Sequence, residues 1–344
     1  MTRQTFAALV LSTAFALSCT KGGAPDNSSG GNNDEIISEV TEVTEVTSSI
    51  SMNISTDKSI YKPGETVTFT ADNMPSGAKI RYRHNDETVL IQDASSATWQ
   101  WTAPSEDFTG YLVDIFIESE KGELIYGTIA VDVSSDWTRF PRYGFVGDFD
   151  SSKLEEGVIE AEMDFLRRCH INGIQFYDWH NKHHWPLGGT MERIDEVYND
   201  IANRPVYSEV LKKYIKVQHD YGMKCMFYNL CYGALDDAAA DGVKEEWYIF
   251  KGANRTDKDF HGLPDSWKSN IFLLDPGNEQ WQEYLAERNR EVYTHCDFDG
   301  FHSDQLGYRG DRYDWNSNIV NFPKSYASFI KAMKNAHPDK TLVM

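Results

Sequence analysis

Residues 298–307 read FDGFHSDQLG. A short apolar run with two aromatics leads directly into four polar side chains, His302, Ser303, Asp304 and Gln305. A buried strand that runs into ligand-holding groups is how α/β proteins build sites at strand ends. The same pattern recurs on either side. RYGFVGDF (142–149) precedes the helix-length LEEGVIEAEMDFLRRC, GIQFYDW (173–179) precedes VYSEVLKKYIKVQHDYG, and KCMFYNLCY (224–232) follows. IFLLDP (271–276) precedes EQWQEYLAERNREVYTH, FDGFHSD precedes SYASFIKAMKNAH, and KTLVM ends the chain. Strand and helix in alternation imply parallel strands with crossover helices, so a (β/α)8 barrel is expected, with a doubly wound open sheet as the alternative. No glycine-rich phosphate loop follows any of these strands, which argues against a nucleotide-binding version. About five strand candidates stand where eight close a barrel, so the barrel is expected to be incomplete in this chain, with exposed strand edges and a tendency to aggregate.

The segments before the barrel read differently. From 49 to 135, ETVTFTA, AKIRYRH, ATWQWTA, GYLVDIFIES and ELIYGTIAVDV alternate apolar and polar residues between turn formers. This predicts an immunoglobulin-like β-sandwich acting as spacer or packing partner. Residues 136–344 are then expected to be the N-terminal part of the (β/α)8 barrel. Residues 20–48 lack aromatics and are rich in Gly, Ser, Asn and acids, as a flexible tether would be. Residues 1–19 pair Arg3 with the apolar FAALVLSTAFAL, then Ser18 and Cys19. This is a lipoprotein-type signal in outline, predicting lipidation at Cys19 and a bacterial cell-envelope location, as an outer-membrane lipoprotein or otherwise a secreted protein. Membrane contact is expected only through that lipid.

Composition narrows the partners. The chain has 344 residues, Lys+Arg 33 against Asp+Glu 53 and a formal charge of −20, which repels phosphate backbones and excludes nucleic acid as an expected partner. Hydrophobic residues make up 40% and aromatics 13%, an aromatic content that suits the stacking of sugar rings. Cys169, Cys225, Cys231 and Cys296 show no metal-ligand spacing and are expected as buried free thiols.

In a barrel the site lies where strands end. There the chain offers Asp148; Gln175, Tyr177, Asp178, Trp179, His183 and His184; Tyr228, Asn229 and Tyr232; Asp275; and His302, Asp304 and Gln305. Amides and carboxylates hold sugar hydroxyls and rings hold sugar faces. Asp304 suits a nucleophile or a stabiliser of an oxocarbenium-like transition state, and equally a helix cap. HNKHH (180–184) has an i, i+3 histidine pair but neither an HExxH motif nor a third ligand at helical spacing, so a hydrogen-bonding loop is expected and no metal.

Taken together, RYGFVGDF, HINGIQFYDWHNKHHWPL (170–187), MFYNLCYGA (226–234) and FDGFHSDQLG resemble glycoside hydrolase family 66, the dextranases and cycloisomaltooligosaccharide glucanotransferases. The resemblance covers about residue 136 to the C-terminus. It implies cofactor-free endo-hydrolysis of α-1,6 bonds in dextran or a related α-1,6-glucan, with retention through a covalent glycosyl-enzyme. The family's nucleophile ends the fourth barrel strand, which is Asp304 here. Gln175, Tyr177, Asp178, Trp179, His183, Asn229, His302 and Gln305 fall in matching blocks and would line the subsite of the attacked glucose. The family's acid/base glutamate lies on a later strand and is expected to be missing from this chain. Dextranase is the leading expectation, with the cyclising glucanotransferase or a non-catalytic α-glucan-binding lipoprotein as alternatives.

Overall fold

Alternating apolar residues set the N-terminal layer. The computed structural model describes residues 52–344, so the signal segment, Cys19 and the tether lie outside the described residues. Seven strands come first: β1 (Ile54–Thr56), β2 (Thr66–Ala71), β3 (Lys79–His84), β4 (Glu87–Asp93), β5 (Thr98–Thr102), β6 (Thr109–Ser119) and β7 (Gly122–Val133). They pair into two antiparallel sheets, ordered β1-β2-β5 and β4-β3-β6-β7. Both sheets contribute to one core, with Val67, Phe69 and Trp99 from the first and Ile80, Tyr82, Val113 and Ile115 from the second. Phe69 stacks on Trp99 at 4.9 Å and Tyr82 on Trp101 at 4.8 Å between ring centroids. The buried indole of Trp99 donates to Tyr82 Oη at 3.0 Å, so the polar end of the ring is not left unpaired. Much of the aromatic content that composition suggested for sugars is core here.

The rest of the chain winds through β8 (Tyr143–Val146), α1 (Val158–Arg168), β9 (Gly173–Phe176), β10 (Val197–Asn199), β11 (Pro205–Tyr207), α2 (Ser208–Asp220), β12 (Lys224–Leu230), β13 (Phe260–His261), β14 (Ile271–Phe272), α3 (Glu279–His295), β15 (Gly300–Asp304), α4 (Phe322–Ala336) and β16 (Thr341–Val343). Five of these strands form one parallel sheet in the order β8-β9-β12-β15-β16. Neighbours follow chain order without the reversal that defines a doubly wound sheet. The winding is that of a (β/α)8-type barrel carried through five strands. IFLLDP departs from expectation: only Ile271–Phe272 is strand, and it pairs antiparallel with β13 outside the parallel sheet. Asp275 consequently ends no barrel strand. Its half-buried carboxylate accepts from Gly277 N at 2.8 Å and Ser325 Oγ at 3.1 Å, between α3 and α4.

Local chemistry explains the helix starts. Asn278 accepts from the amides of Gln280 and Trp281 at the head of α3, and Asn321 accepts from Lys324 N at the head of α4, where Pro323 occupies the first turn. One face of the parallel sheet buries Ile174, Phe176, Phe227 and Phe301 against Ile159, Met163, Tyr214, Trp281 and Phe329 of the helices. Phe227 and Phe301 stack at 5.0 Å, and Phe298 meets Phe176 edge-on at 4.9 Å. Gly300 allows β15 and β16 to approach, since a Cβ there would lie 2.1 Å from Thr341 O. Both layers belong to one compact unit, Ile50–Met344, tied by the Arg142–Asp132 ion pair and by Ser59 N donating to Tyr221 O at 3.1 Å. Cys225, Cys231 and Cys296 are buried, whereas Cys169 is exposed: it follows the last turn of α1, past the apolar stripe that packs inward. Among the described residues no helix is long and apolar enough to cross a membrane.

Candidate active site

The other face of the parallel sheet carries the chemistry. Strand pleating sends alternate residues to opposite faces. Registers align Phe145 with Gln175, Gln175 with Met226, Tyr228 with His302, and Leu230 with Asp304. Tyr143 stacks on His302 at 5.5 Å, and its hydroxyl lies 3.1 Å from His302 Nδ1. Tyr177 packs against Tyr228 at 4.8 Å and edge-on to Phe145 at 6.2 Å.

Asp304 sits at the end of β15, the fourth parallel strand in chain order. Tyr228 Oη donates to Asp304 Oδ2 at 3.1 Å, and Gln305 N donates to Oδ1 at 2.7 Å. Burial, with the Asp304 charge beside it, raises the Tyr228 phenol far above its ordinary range, so it stays a donor. Burial lowers His302 below the usual imidazole value. The carboxylate is thus oriented at both oxygens while remaining partly open to ligand. A left-handed backbone at Gln305 (φ 69°) turns the chain away immediately after it.

The residues expected to bind sugar divide into two groups. Tyr177, Gln175, His302 and Gln305 are accessible around Asp304. Trp179, Asn229 and Tyr232 are fully buried and present no surface to a ligand. Trp179 packs on Phe227 and Phe298 and donates to Tyr228 O at 3.1 Å, because the left-handed Asp178 (φ 51°) breaks the alternation that would have put Trp179 beside Tyr177. Asn229 is engaged entirely within the protein: Oδ1 accepts from Leu230 N and from His183 Nδ1, both at 2.8 Å, and Nδ2 donates to His183 O. Tyr232 stacks on Tyr326 at 6.2 Å. Asp178 is buried next to Arg204 at 3.4 Å, and desolvation raises its carboxyl to about 6. Asp148 is exposed and lines a groove with Lys153, Glu162 and Tyr214 on the helix side of β8, apart from the Asp304 cluster.

The histidine loop behind the site is buried too. His183 is held by Asn229, and desolvation lowers it to about 4; His180, 4.4 Å from it between ring centroids, is lowered well below the ordinary value by the same cause. His184, Asp237 and Asp241 approach one another as metal ligands would. The cation between the two carboxylates is Lys182, whose Nζ is 2.6 Å from each. Lys268 Nζ ties this loop to the β10–β11 hairpin by donating to Asn181 O, Asn181 Oδ1 and Asn199 O, and desolvation lowers it to about 8. Sequence reasoning missed Tyr143 and Phe145 as site residues; they alternate along RYGFVGDF with the helix-facing Val146 and so fall on the other face of the strand.

The chain resembles proteins of known type over most of its length. It is 31% identical over 299 residues to a cycloisomaltooligosaccharide glucanotransferase of Niallia circulans, a match covering 81% of this chain and 30% of that protein. It is 27% identical over 280 residues to a dextranase of Streptococcus salivarius, covering 74% and 33% respectively. The chain therefore spans about a third of the length of the curated relatives it matches. The crystal structure of a Paenibacillus sp. cycloisomaltooligosaccharide glucanotransferase complexed with cycloisomaltoheptaose superposes with a TM-score of 0.75 and 31% identity, over 84% of this chain and 44% of that one. Residues 56–344 match the profile of Glycosyl hydrolase family 66, and the chain belongs to that family.

Proposed function

We propose that this chain carries the covalent step of a retaining double displacement on α-1,6-linked glucan, with Asp304 as nucleophile, in an enzyme of the cycloisomaltooligosaccharide glucanotransferase kind. The setting of Asp304 carries the reading: a strand-end carboxylate with one oxygen held by Tyr228 and the other by Gln305 N, beside His302. One oxygen of Asp304 attacks the anomeric carbon, the glycosidic bond breaks, and the departing 6-oxygen takes a proton from the second carboxyl group that a retaining double displacement requires. Water then attacks the glycosyl ester in hydrolysis, whereas the 6-hydroxyl at the far end of the same glucan attacks in cyclisation. Either attack releases the Asp304 carboxylate and returns the proton of the attacking O–H to the second carboxyl group. If Tyr143 donates to His302 Nδ1, the neutral imidazole keeps Nε2–H to donate to a sugar hydroxyl.

Leaving-group protonation needs a second carboxyl group about 5–5.5 Å from the nucleophile. Support for cyclisation over plain hydrolysis comes from the relatives, since the glucanotransferases match at 31% and the dextranase at 27%.

An α-isomaltosyl fluoride tests the nucleophile, because fluoride leaves without a proton donor. Mass spectrometry of the treated chain should place a glycosyl group on the peptide containing Asp304. Labelling elsewhere, or equal labelling of Asp304→Asn, would sink the assignment. Cyclic products without reducing ends favour the glucanotransferase reading, and linear isomaltooligosaccharides favour dextranase.

A further inference from the structure

Past the nucleophile, the segment from Gln305 to Arg309 is held at every residue but one. Leu306 packs against the helix-side core. The Gly307 carbonyl accepts from Tyr326 Oη at 2.7 Å. Arg309 Nε donates at 2.8 Å to Asp259, a carboxylate that is 2% exposed and also accepts from Arg312 Nε at 2.8 Å. Between these anchors Tyr308 is 79% exposed, the most exposed of the large hydrophobic side chains, and its hydroxyl makes no hydrogen bond among the described residues.

A single exposed aromatic is ordinarily unremarkable. This one follows a backbone carbonyl held by Tyr326 and precedes an arginine whose side chain is paired with buried Asp259, and both restrain the segment that presents it and lower the ordering entropy lost when something stacks on it. It also stands four residues beyond Asp304, within about 14 Å along the chain, a distance spanned by a few sugar units. A flat exposed ring four residues past a glycosyl-attacking carboxylate suits the apolar face of a pyranose ring, and the phenol edge can meet its hydroxyls.

We propose that Tyr308 is a stacking platform for the glucan chain beyond the glucose attacked at Asp304, and that it sets the chain length the site prefers. The proposal rests on the reading of the site as an α-glucan site, and its test separates the two. Binding of isomaltose, isomaltoheptaose, maltose and maltoheptaose is measured by titration calorimetry on the chain carrying Asp304→Asn, which blocks turnover, with and without Tyr308→Ala or Tyr308→Phe.

The expected result is a loss of about tenfold in isomaltoheptaose affinity for Tyr308→Ala, no change for isomaltose, and near-parent affinity for Tyr308→Phe. The melting temperature should stay within about 2 °C, as for an exposed side chain. Unchanged heptaose affinity in Tyr308→Ala overturns the proposal. An equal loss for short and long sugars with a lowered melting temperature overturns it too, by showing a packing role. If only the malto-series binds and shows the length-dependent loss, the platform stands and the α-1,6 reading falls. If the Asp304→Asn chain binds neither series, both fall.

Discussion

The two faces of the parallel sheet share strands and differ in almost everything else. Toward the helices, Ile174, Phe176, Phe227 and Phe301 are at most 2% exposed and interlock with one another and with the helices. Toward the other side, Phe145 is 68% and Tyr177 41% exposed, while Tyr228, His302 and Asp304 meet through single hydrogen bonds and ring contacts. The first face holds the strands in register by close packing. The second uses that register to bring residues 76 apart in sequence, Tyr228 and Asp304, to 3.1 Å. Stability and chemistry are thereby assigned to alternate residues of the same strands, and substitutions should separate accordingly.

The largest contrast is expected at Asp304. Asp304→Asn should lower glycosyl transfer from an activated fluoride by more than about 10³-fold with an unchanged melting temperature. A destabilised variant would mean that the carboxylate belongs to the packing. The reverse is expected on the helix face, where Phe227→Ala removes a ring in contact with Phe298 and Phe301. Chemical denaturation should show a loss of about 3–5 kcal/mol, while labelling per folded molecule is unchanged.

Acid sharpens the comparison through the buried loop behind the site. His183 falls from an ordinary 6.5 to about 4 on folding, so its contribution is complete above 6.5 and is lost as pH falls through the window from 6.5 to 4. Between pH 7 and pH 5 that loss is about 2 kcal/mol. Asp178 acts in the opposite sense. Its folded carboxyl takes up a proton near 6, so relative stability is gained as pH falls from about 6 toward 4. Denaturation midpoints measured across this range should fall with acid, and fall more steeply in Asp178→Asn; an identical slope would remove Asp178 from the balance.

Two smaller effects belong to the open face. Tyr228→Phe keeps the ring and loses the hydrogen bond to Asp304, for which about a tenfold fall in labelling rate is expected in single-turnover kinetics. Phe145→Ala should change stability by no more than about 0.5 kcal/mol, and a larger loss in a denaturation curve would show that this face packs more tightly than its exposure implies.

Much of the site was legible because strand ends are local features. FDGFHSDQLG by itself places Asp304 where an apolar strand meets polar groups, and the alternation of GIQFYDW places Gln175 and Tyr177 on one face. Trp179 was misread for a reason no alternation reveals: one left-handed residue, Asp178, rotates the chain so that the next aromatic turns into the core. IFLLDP was misread because a short apolar run has the same composition whether it joins a parallel sheet or pairs with a two-residue strand across a loop. HNKHH forms a buried loop whose partners Asp237, Asp241 and Asn229 lie some 46 to 59 residues away and carry no signal in the sequence.

By itself, then, the amino-acid order determined the switch from antiparallel to parallel architecture, the chain-order winding of strands and helices, and the carboxylate at the end of β15, since all of these follow from periodicities of two and 3.6 and from what each strand runs into. Only the tertiary structure decided which polar groups remain open to a ligand. Burial and hydrogen-bond satisfaction depend on residues brought together from distant segments, and it is these that commit Trp179, Asn229 and Tyr232 to the interior while leaving Tyr177, His302 and Tyr308 for something to bind.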